Sequence, residues 1–235
     1  MATRVMILAG GTGGHVYPAL AVAKELMSRE CEVRWMGTLS GLEARVVPDA
    51  GIAIDWLSVA GFRGKGWRAK CAAPFKLTLA MLQAASHLLK FRPDVVLGMG
   101  GFVAGPGGVM ARLLGIPLVI HEQNRVPGKT NRFLVKFSRV VLEAFPHSFP
   151  ASVNAHCVGN PLRKELLTTA RVQEKRHGSP LKLLILGGSQ GAKALNQIVP
   201  KAIGKYPERF LVRHQTGQAM QKETERAYRE MSVSA

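Results

Sequence analysis

Three glycine-rich segments constrain this chain most, because each follows directly on a short apolar run. They span Gly10–Gly14, Gly100–Gly108 and Gly187–Gly191, and we refer to them as the first, second and third glycine loops. A glycine-rich turn between a strand and a helix lets backbone N–H groups approach phosphate oxygens closely, and the helix N-terminus adds partial positive charge. The three loops together predict an α/β protein that binds phosphorylated ligands, although any one of them alone could be a tight turn.

Short apolar runs recur along the chain at a spacing typical of parallel sheets. The strand candidates are Arg4–Leu8, Glu32–Met36, Ile54–Val59, Val95–Met99, Leu118–His121, Val140–Ala144, Leu183–Leu186 and Phe210–His214. Several are separated by segments long enough for a helix, which favours βαβ units.

The motif V-G-N-P-L-R at 158–163 is the strongest boundary signal, because Gly, Asn and Pro interrupt regular structure. We place the junction there, with one domain at 1–158 and a second at 159–235. The similarity of A-G-G-T-G-G near residue 10 to L-G-G-S-Q-G near residue 188 suggests two related halves. The second is expected to be incomplete, because domains typically contain about 100–150 residues.

Two common nucleotide-binding classes fit the loops poorly. The first loop has Val16 where a dinucleotide-binding fingerprint needs its third glycine, and the second strand ends in Gly37 and Thr38 without the acidic residue that binds ribose. This disfavours a dinucleotide oxidoreductase. No loop matches the pattern of P-loop kinases and ATPases.

The formal net charge of +17 indicates an anionic partner, although a merely soluble basic surface would also explain it. No nucleic-acid-binding motif is present, so we expect no nucleic acid. The three cysteines, Cys31, Cys71 and Cys157, have no metal-site or disulfide spacing, and the chain shows neither a leader peptide nor a membrane-spanning run. These features favour a reducing cytoplasm and no metal ion.

Residues 62–92 contain seven Lys and Arg residues and no acidic residue. On a helical wheel Leu77, Met81, Ala84 and Leu88 share the face expected to pack on the sheet, while Leu79, Leu82, Ser86 and Leu89 lie roughly opposite. The second face predicts docking on an anionic membrane leaflet, with burial inside the protein as the alternative. The predicted docking residues are Trp67, Arg68, Lys70, Phe75, Lys76, Leu79 and Leu82.

His15 is the candidate general base. It follows the first glycine loop at a predicted helix start, where the helix dipole disfavours a charged imidazole. A histidine that merely caps or packs is the alternative. The acceptor substrate is expected on the second glycine loop and on a polar cluster after the strand at 118–121. The acceptor-side candidates are Gly100, Gly101, Phe102, Gly105, His121 and Glu122.

Five motifs, in order, resemble glycosyltransferase family 28, and within it the MurG family. They are G-G-T-G-G-H at 10–15, G-M-G-G-F-V-A-G-P-G-G at 98–108, H-E-Q-N at 121–124, G-N-P-L-R at 159–163 and G-G-S-Q-G-A at 187–192. The resemblance implies a GT-B fold of two Rossmann-like domains. It implies metal-free, cofactor-free, inverting transfer of GlcNAc from UDP-GlcNAc to the C4 hydroxyl of the MurNAc of lipid I, giving lipid II for peptidoglycan synthesis.

The same resemblance implies which residues contact the donor and where the protein works. The donor contacts would be Thr12, Gly13, Gly14, Asn124, Arg163 and Ser189. The implied location is the cytoplasmic face of the bacterial inner membrane, as a peripheral protein of cell-wall synthesis that supports cell shape and division. Because the family's A-L-T-V-S-E-type segment is missing, the alternative is a partial chain that retains only membrane and lipid-acceptor binding.

Overall fold

The computed structural model describes residues 2–58, 73–164, 166, 180–188 and 191–233. The chain divides into two compact units, Met1–Thr169 and Ala170–Ala235. The domain junction expected between residues 158 and 159 stays a prediction.

The first unit is built on one sheet of seven parallel strands. The strands are β1 (Arg4–Ala9), β2 (Glu32–Gly37), β3 (Ala53–Trp56), β4 (Val95–Gly100), β5 (Leu118–Glu122), β6 (Val140–Glu143) and β7 (His156–Cys157). Their order is β3-β2-β1-β4-β5-β6-β7, with Val5 of β1 opposite Val33 on one side and Val95 on the other. The strand order reverses direction between β1 and β4, the point at which ligands bind in open α/β sheets.

Helices cover both faces of this sheet. They are α1 (Gly13–Ser28), α2 (Glu43–Val46), α3 (Ala73–Phe91), α4 (Ala104–Leu113) and α5 (Lys129–Leu134), with 3₁₀ turns at Pro48–Ala50, Val135–Phe137 and Ala151–Val153. Because alternate residues of a strand face opposite sides, β1 supplies two cores. Met6 and Leu8 pack in the core that includes residues of α3, α4 and α5, while Val5 and Ile7 pack in the core that includes residues of α1.

The second unit contains two parallel strands, β8 (Leu181–Leu186) and β9 (Phe210–Gln215), and two helices, α6 (Lys193–Ile203) and α7 (Gln221–Glu230). Short 3₁₀ turns lie at Pro207–Arg209 and Gln218–Met220. Ile185, Val212 and Tyr228 form its small core. Leu184 and Leu186 are 64% and 67% exposed, so part of this sheet lacks a covering layer within the described residues.

All eight predicted strands and their parallel pairing are confirmed. The third ends at Trp56, three residues before its predicted end, and Val59 lies outside the described residues. Sequence reasoning missed β7, because a two-residue exposed strand carries no alternation that could reveal it.

The predicted buried face of α3 is partly wrong. Ala84 and Leu88 are buried as expected, but Leu77 is 44% exposed. The buried residues are Ala80, Ala84, Leu88 and Phe91, so the buried face of the helix is displaced from the predicted one toward Ala80 and Phe91. Phe75 and Leu82 are exposed, which excludes burial on all sides. Within the described ranges, no helix is both long enough and apolar enough to cross a bilayer.

Candidate functional site at the carboxyl ends of β1, β4 and β5

The first two glycine loops meet where the strand order reverses. Gly101 has a φ of +85°, and a Cβ atom there would collide with the carbonyl oxygen of Gly10. Gly100 has a φ of +103°, and a Cβ atom there would lie 2.8 Å from the His15 ring. Glycine is therefore needed at both positions, for its left-handed backbone and for the close approach of the two loops.

These loops border a cavity of about 330 Å³. Its lining residues are Gly10, Gly11, Thr12, His15, Gly100, Gly101, Phe102, Gly128, Lys129, Thr130 and Asn131. This cavity brings together predicted site residues from different parts of the sequence, namely Thr12, His15, Gly100, Gly101 and Phe102. Gly128–Asn131, which sequence reasoning missed, supply its remaining side at the start of α5.

His15 lies in the first turn of α1, and its Nδ1 is 2.9 Å from Oε1 of Gln123. Its Nε2 has no hydrogen-bond partner among the described residues. A neutral imidazole that donates from one nitrogen presents a lone pair on the other. The second nitrogen can therefore accept a proton.

Gln123 and His121 lie behind His15 and are buried. The amide nitrogen of Gln123 lies 3.1 Å from His121 Nδ1, and His121 Nε2 lies 3.0 Å from the main-chain oxygen of Gly159. Burial lowers the pKa of His121 below its ordinary value, against smaller opposing effects of the Gly159 carbonyl and the nearby Glu122 carboxylate. His121 is therefore held neutral at physiological pH.

Glu122, the last residue of β5, is fully buried. Its Oε1 accepts hydrogen bonds from the main-chain and side-chain nitrogens of Asn124, and its Oε2 accepts from Gly128 N and Asn131 Nδ2. The four distances are 2.9–3.0 Å. With its acceptor positions occupied, the carboxylate holds the loop from Asn124 to Asn131, and neither Glu122 nor His121 is among the residues lining the cavity.

Glu43 performs a similar role under the first glycine loop, and the sequence analysis missed it. It is fully buried, and its carboxylate accepts from Gly11 N at 2.9 Å and from the backbone and hydroxyl of Thr38 at 3.0 and 2.8 Å. The sequence did offer one sign of this role. Glu43 is an acidic residue in a strongly basic chain, and it comes directly after the dipeptide at 41–42, in the loop beyond β2.

The other predicted site residues do not line this cavity. Some lie on elements near it, and others lie in a separate groove or outside the described residues. Gly13 and Gly14 open α1, Gly105 lies in α4, and Asn124 is exposed on the loop after β5. Arg163 places its guanidinium 5.0 Å from the Tyr17 ring and borders a separate groove along α1.

Of the predicted membrane-docking residues, Phe75, Lys76, Leu79 and Leu82 lie on α3. Trp67, Arg68, Lys70 and the donor-side Ser189 lie outside the described residues.

Because the two loops are in contact, a Gly101→Ala variant should lose more stability than a Gly115→Ala variant, which makes the same substitution at a glycine without close neighbours. Gly115 has a φ of +73° and nothing within 4 Å of a Cβ position, so Gly115→Ala should cost only the left-handed strain of about 1–2 kcal/mol. Gly101→Ala adds a backbone collision, which should cost a further 1–3 kcal/mol or so. Urea unfolding measures the difference. Equal losses for the two variants would contradict this account.

Tryptophan fluorescence is a suitable probe of that unfolding. Trp35 and Trp56 lie in the first unit, and the third tryptophan, Trp67, falls in sequence between the ends of that unit and outside the described residues. Their signal therefore follows the unit that contains the cavity.

Comparisons with known proteins agree with this architecture. The family model described as "Glycosyltransferase family 28 N-terminal domain" matches residues 5–143, and the model of the C-terminal domain of the same family matches residues 182–234. Together they cover most of the chain.

Two curated relatives carry the name UDP-N-acetylglucosamine–N-acetylmuramyl-(pentapeptide) pyrophosphoryl-undecaprenol N-acetylglucosamine transferase. The protein of Methylococcus capsulatus is 58% identical over 236 residues, covering 100% of this chain and 66% of its own length. That of Vibrio campbellii is 46% identical over 235 residues, covering 98% and 65%. The chain thus spans slightly less than two thirds of these relatives.

Solved structures support the fold. The crystal structure of Acinetobacter baumannii MurG has 42% identity and a TM-score of 0.75, over 96% of this chain and 64% of that one. A UDP-N-acetylglucosamine 2-epimerase has 15% identity and a TM-score of 0.63, over 99% and 68%, and shows a shared fold alone. The expected GT-B architecture with an incomplete second domain is confirmed.

Proposed function

Because the chain belongs to glycosyltransferase family 28, we propose that it forms the larger part of an enzyme transferring GlcNAc from UDP-GlcNAc to lipid I. The acceptor is the C4 hydroxyl of the MurNAc sugar, and the product is lipid II for the bacterial cell wall. The observation that carries this proposal is the cavity at the switch point of the sheet, where His15 presents an unoccupied ring nitrogen beside two glycine loops.

His15 is the general base in this proposal. Its Nε2 takes the proton of the C4 hydroxyl while the hydroxyl oxygen attacks C1 of GlcNAc from the face opposite the diphosphate. The bond from C1 to the UDP oxygen breaks and UDP leaves, so the configuration at C1 inverts. The mechanism uses no metal ion and no cofactor.

Binding of the two substrates is divided among the predicted residues. Gly100, Gly101 and Phe102 border the cavity and are proposed to contact the acceptor, with Gly105 nearby on α4. Thr12, Gly13, Gly14, Asn124, Arg163 and Ser189 are proposed to contact the donor. The start of α1 suits this role, because helix N-terminal N–H groups favour anionic groups such as a diphosphate.

Release of UDP from UDP-GlcNAc with a soluble lipid I analogue tests the activity. The assay compares this chain with an extended chimera, in which the carboxyl-terminal third of the Methylococcus capsulatus relative follows residue 235. We expect acceptor-dependent UDP release from the chimera. A silent chain beside an active chimera would support the proposed function of the longer enzyme and would show that this chain by itself is an inactive partial protein, as the alternative expects. An inactive, folded chimera would contradict the proposed function.

The exposed face of α3 is proposed to dock on anionic lipids at the cytoplasmic surface of the bacterial inner membrane. Phe75 and Leu82 are 76% and 64% exposed, and Lys76 lies beside them in a segment without acidic residues. An apolar face flanked by basic side chains binds such surfaces through buried area and electrostatic attraction. Membrane docking would bring the cavity to a lipid-linked acceptor.

A Leu82→Glu variant should bind vesicles containing phosphatidylglycerol about tenfold or more weakly than the parent chain. It loses the burial of one leucine, worth about 1.5–3 kcal/mol, and adds a repelled charge. Leu79 is a poorer position, because it is only 39% exposed.

Leu113→Glu is the matched control, since Leu113 is 68% exposed at the end of α4 and undergoes the same change of charge. Sedimentation with vesicles measures both variants. Equal weakening of the two would show that net charge, and not the face of α3, controls binding.

A further inference from the structure

The polar side chains behind His15 form one chain of hydrogen bonds whose direction is fixed by main-chain oxygens. The amide nitrogen of Gln123 lies 3.0 Å from the main-chain oxygen of His121, a group that can only accept. The Gln123 amide must therefore turn its NH₂ group toward His121. Its Oε1 then faces His15, 2.9 Å from Nδ1.

This orientation decides which nitrogen of His15 carries the proton. An amide oxygen only accepts, so His15 Nδ1 must donate to Gln123 Oε1, and a neutral imidazole has a single N–H group. His15 Nε2 is then the unprotonated nitrogen.

The same logic holds independently at His121. The main-chain oxygen of Gly159, 3.0 Å from His121 Nε2, can only accept, so His121 donates from Nε2. In its neutral form, favoured by burial, His121 then accepts at Nδ1 from Gln123, 3.1 Å away. Both ends of the chain require the same orientation of Gln123.

We propose that Gln123 is a positioning residue that holds His15 in the tautomer with a bare Nε2, and that His121, bound to Gly159, fixes Gln123. The inference rests on the proposed function, in which His15 is the base. A base held in the wrong tautomer cannot accept the proton, and such orientation by a second group is a recurring requirement of catalytic histidines.

Two substitutions at position 123 distinguish the effect of the hydrogen-bond acceptor from the effect of the shape of the side chain. Gln123→Met keeps the length but offers no amide oxygen, so His15 should lose its preference and populate the tautomer protonated at Nε2. Gln123→Glu gives up the NH₂ group that bonds to His121, but its carboxylate still offers an acceptor oxygen toward His15, so it should keep Nδ1 protonated. A purely structural role would not distinguish the two variants in this way.

Long-range ¹H–¹⁵N spectra of the histidine-labelled chain, at a pH where imidazole is neutral, report the tautomer directly. The signals that disappear from the spectrum of the His15→Ala variant are those of His15. The signals of the exposed His156 should stay the same in all variants and serve as an internal control. We expect Nδ1–H for His15 in the parent chain, a mixture or Nε2–H in Gln123→Met, and Nδ1–H in Gln123→Glu.

An Nε2–H tautomer in the parent chain would overturn the inference without recourse to any variant. So would an unchanged tautomer in a folded Gln123→Met protein. The measurement needs no substrate, so it can succeed while the transfer assay fails. In that case the proposed function is wrong and the tautomer assignment stands.

Discussion

A His15→Ala variant is expected to release UDP about 10²–10⁴ times more slowly than its parent, the usual contribution of a general base. The comparison is made in the extended chimera and in the chain itself if it is active. The loss should fall on kcat, because the imidazole takes the proton only as the acceptor hydroxyl attacks. The KM for UDP-GlcNAc should change little, since the proposed donor contacts remain in place.

His156→Ala is the matched control for this prediction. His156 is exposed in β7 and is not among the residues lining the cavity, so its removal should leave kcat unchanged. A His15→Ala enzyme with normal kcat would remove the base assignment. A variant with normal kcat and a strongly raised KM would instead make His15 a binding residue.

A Glu122→Gln variant is expected to lower the free energy of unfolding of the first unit by about 2–4 kcal/mol. The change replaces one carboxylate oxygen with an NH₂ group, which faces two donors in either orientation. Facing Gly128 N and Asn131 Nδ2, for example, it would leave the Gly128 N–H and one N–H of Asn131 Nδ2 without an acceptor, while the other N–H of Asn131 keeps the main-chain oxygen of His121. Each unmet donor in a buried site costs about 1–3 kcal/mol. Because the loop from Asn124 to Asn131 borders the cavity, donor and acceptor binding should weaken as well.

Urea unfolding followed by tryptophan fluorescence measures this loss. Glu32→Gln is the control, because Glu32 is exposed at the start of β2 in the same unit and should change stability by less than about 0.5 kcal/mol. Stability of Glu122→Gln within that range would show that the carboxylate does not hold the loop. The Glu122 carboxylate would then be free to contact the acceptor substrate, as the sequence analysis expects.

The local pattern of the sequence was sufficient to predict every described strand except the two-residue β7. Buried parallel strands are continuous apolar runs, and the glycine loops mark their carboxyl ends, so eight strands and the position of the site follow from residues close together in the chain. The family motifs are equally local. They gave the architecture, which comparison with known proteins confirmed, while His15 is the candidate base because of its position after the first glycine loop at a helix start.

Tertiary structure decided what depends on residues far apart in the sequence. Gln123 reaches His15 across 108 positions, and Glu43 reaches Gly11 across 32. Neither contact has a periodic or spaced signal that a single sequence could reveal. The same holds for the register of α3, where Ala80 and Phe91 are buried while Leu77, which a helical wheel places on the packing face, is exposed.

The sequence by itself therefore determined the fold class, the glycine loops and the residue types at the site. Only the tertiary structure decided which of those residues line the cavity and which hold its loops in place. The physical reason is that a buried carboxylate or amide is defined by the donors and acceptors around it. Those partners come from separate strands and loops that meet only when the sheet has formed.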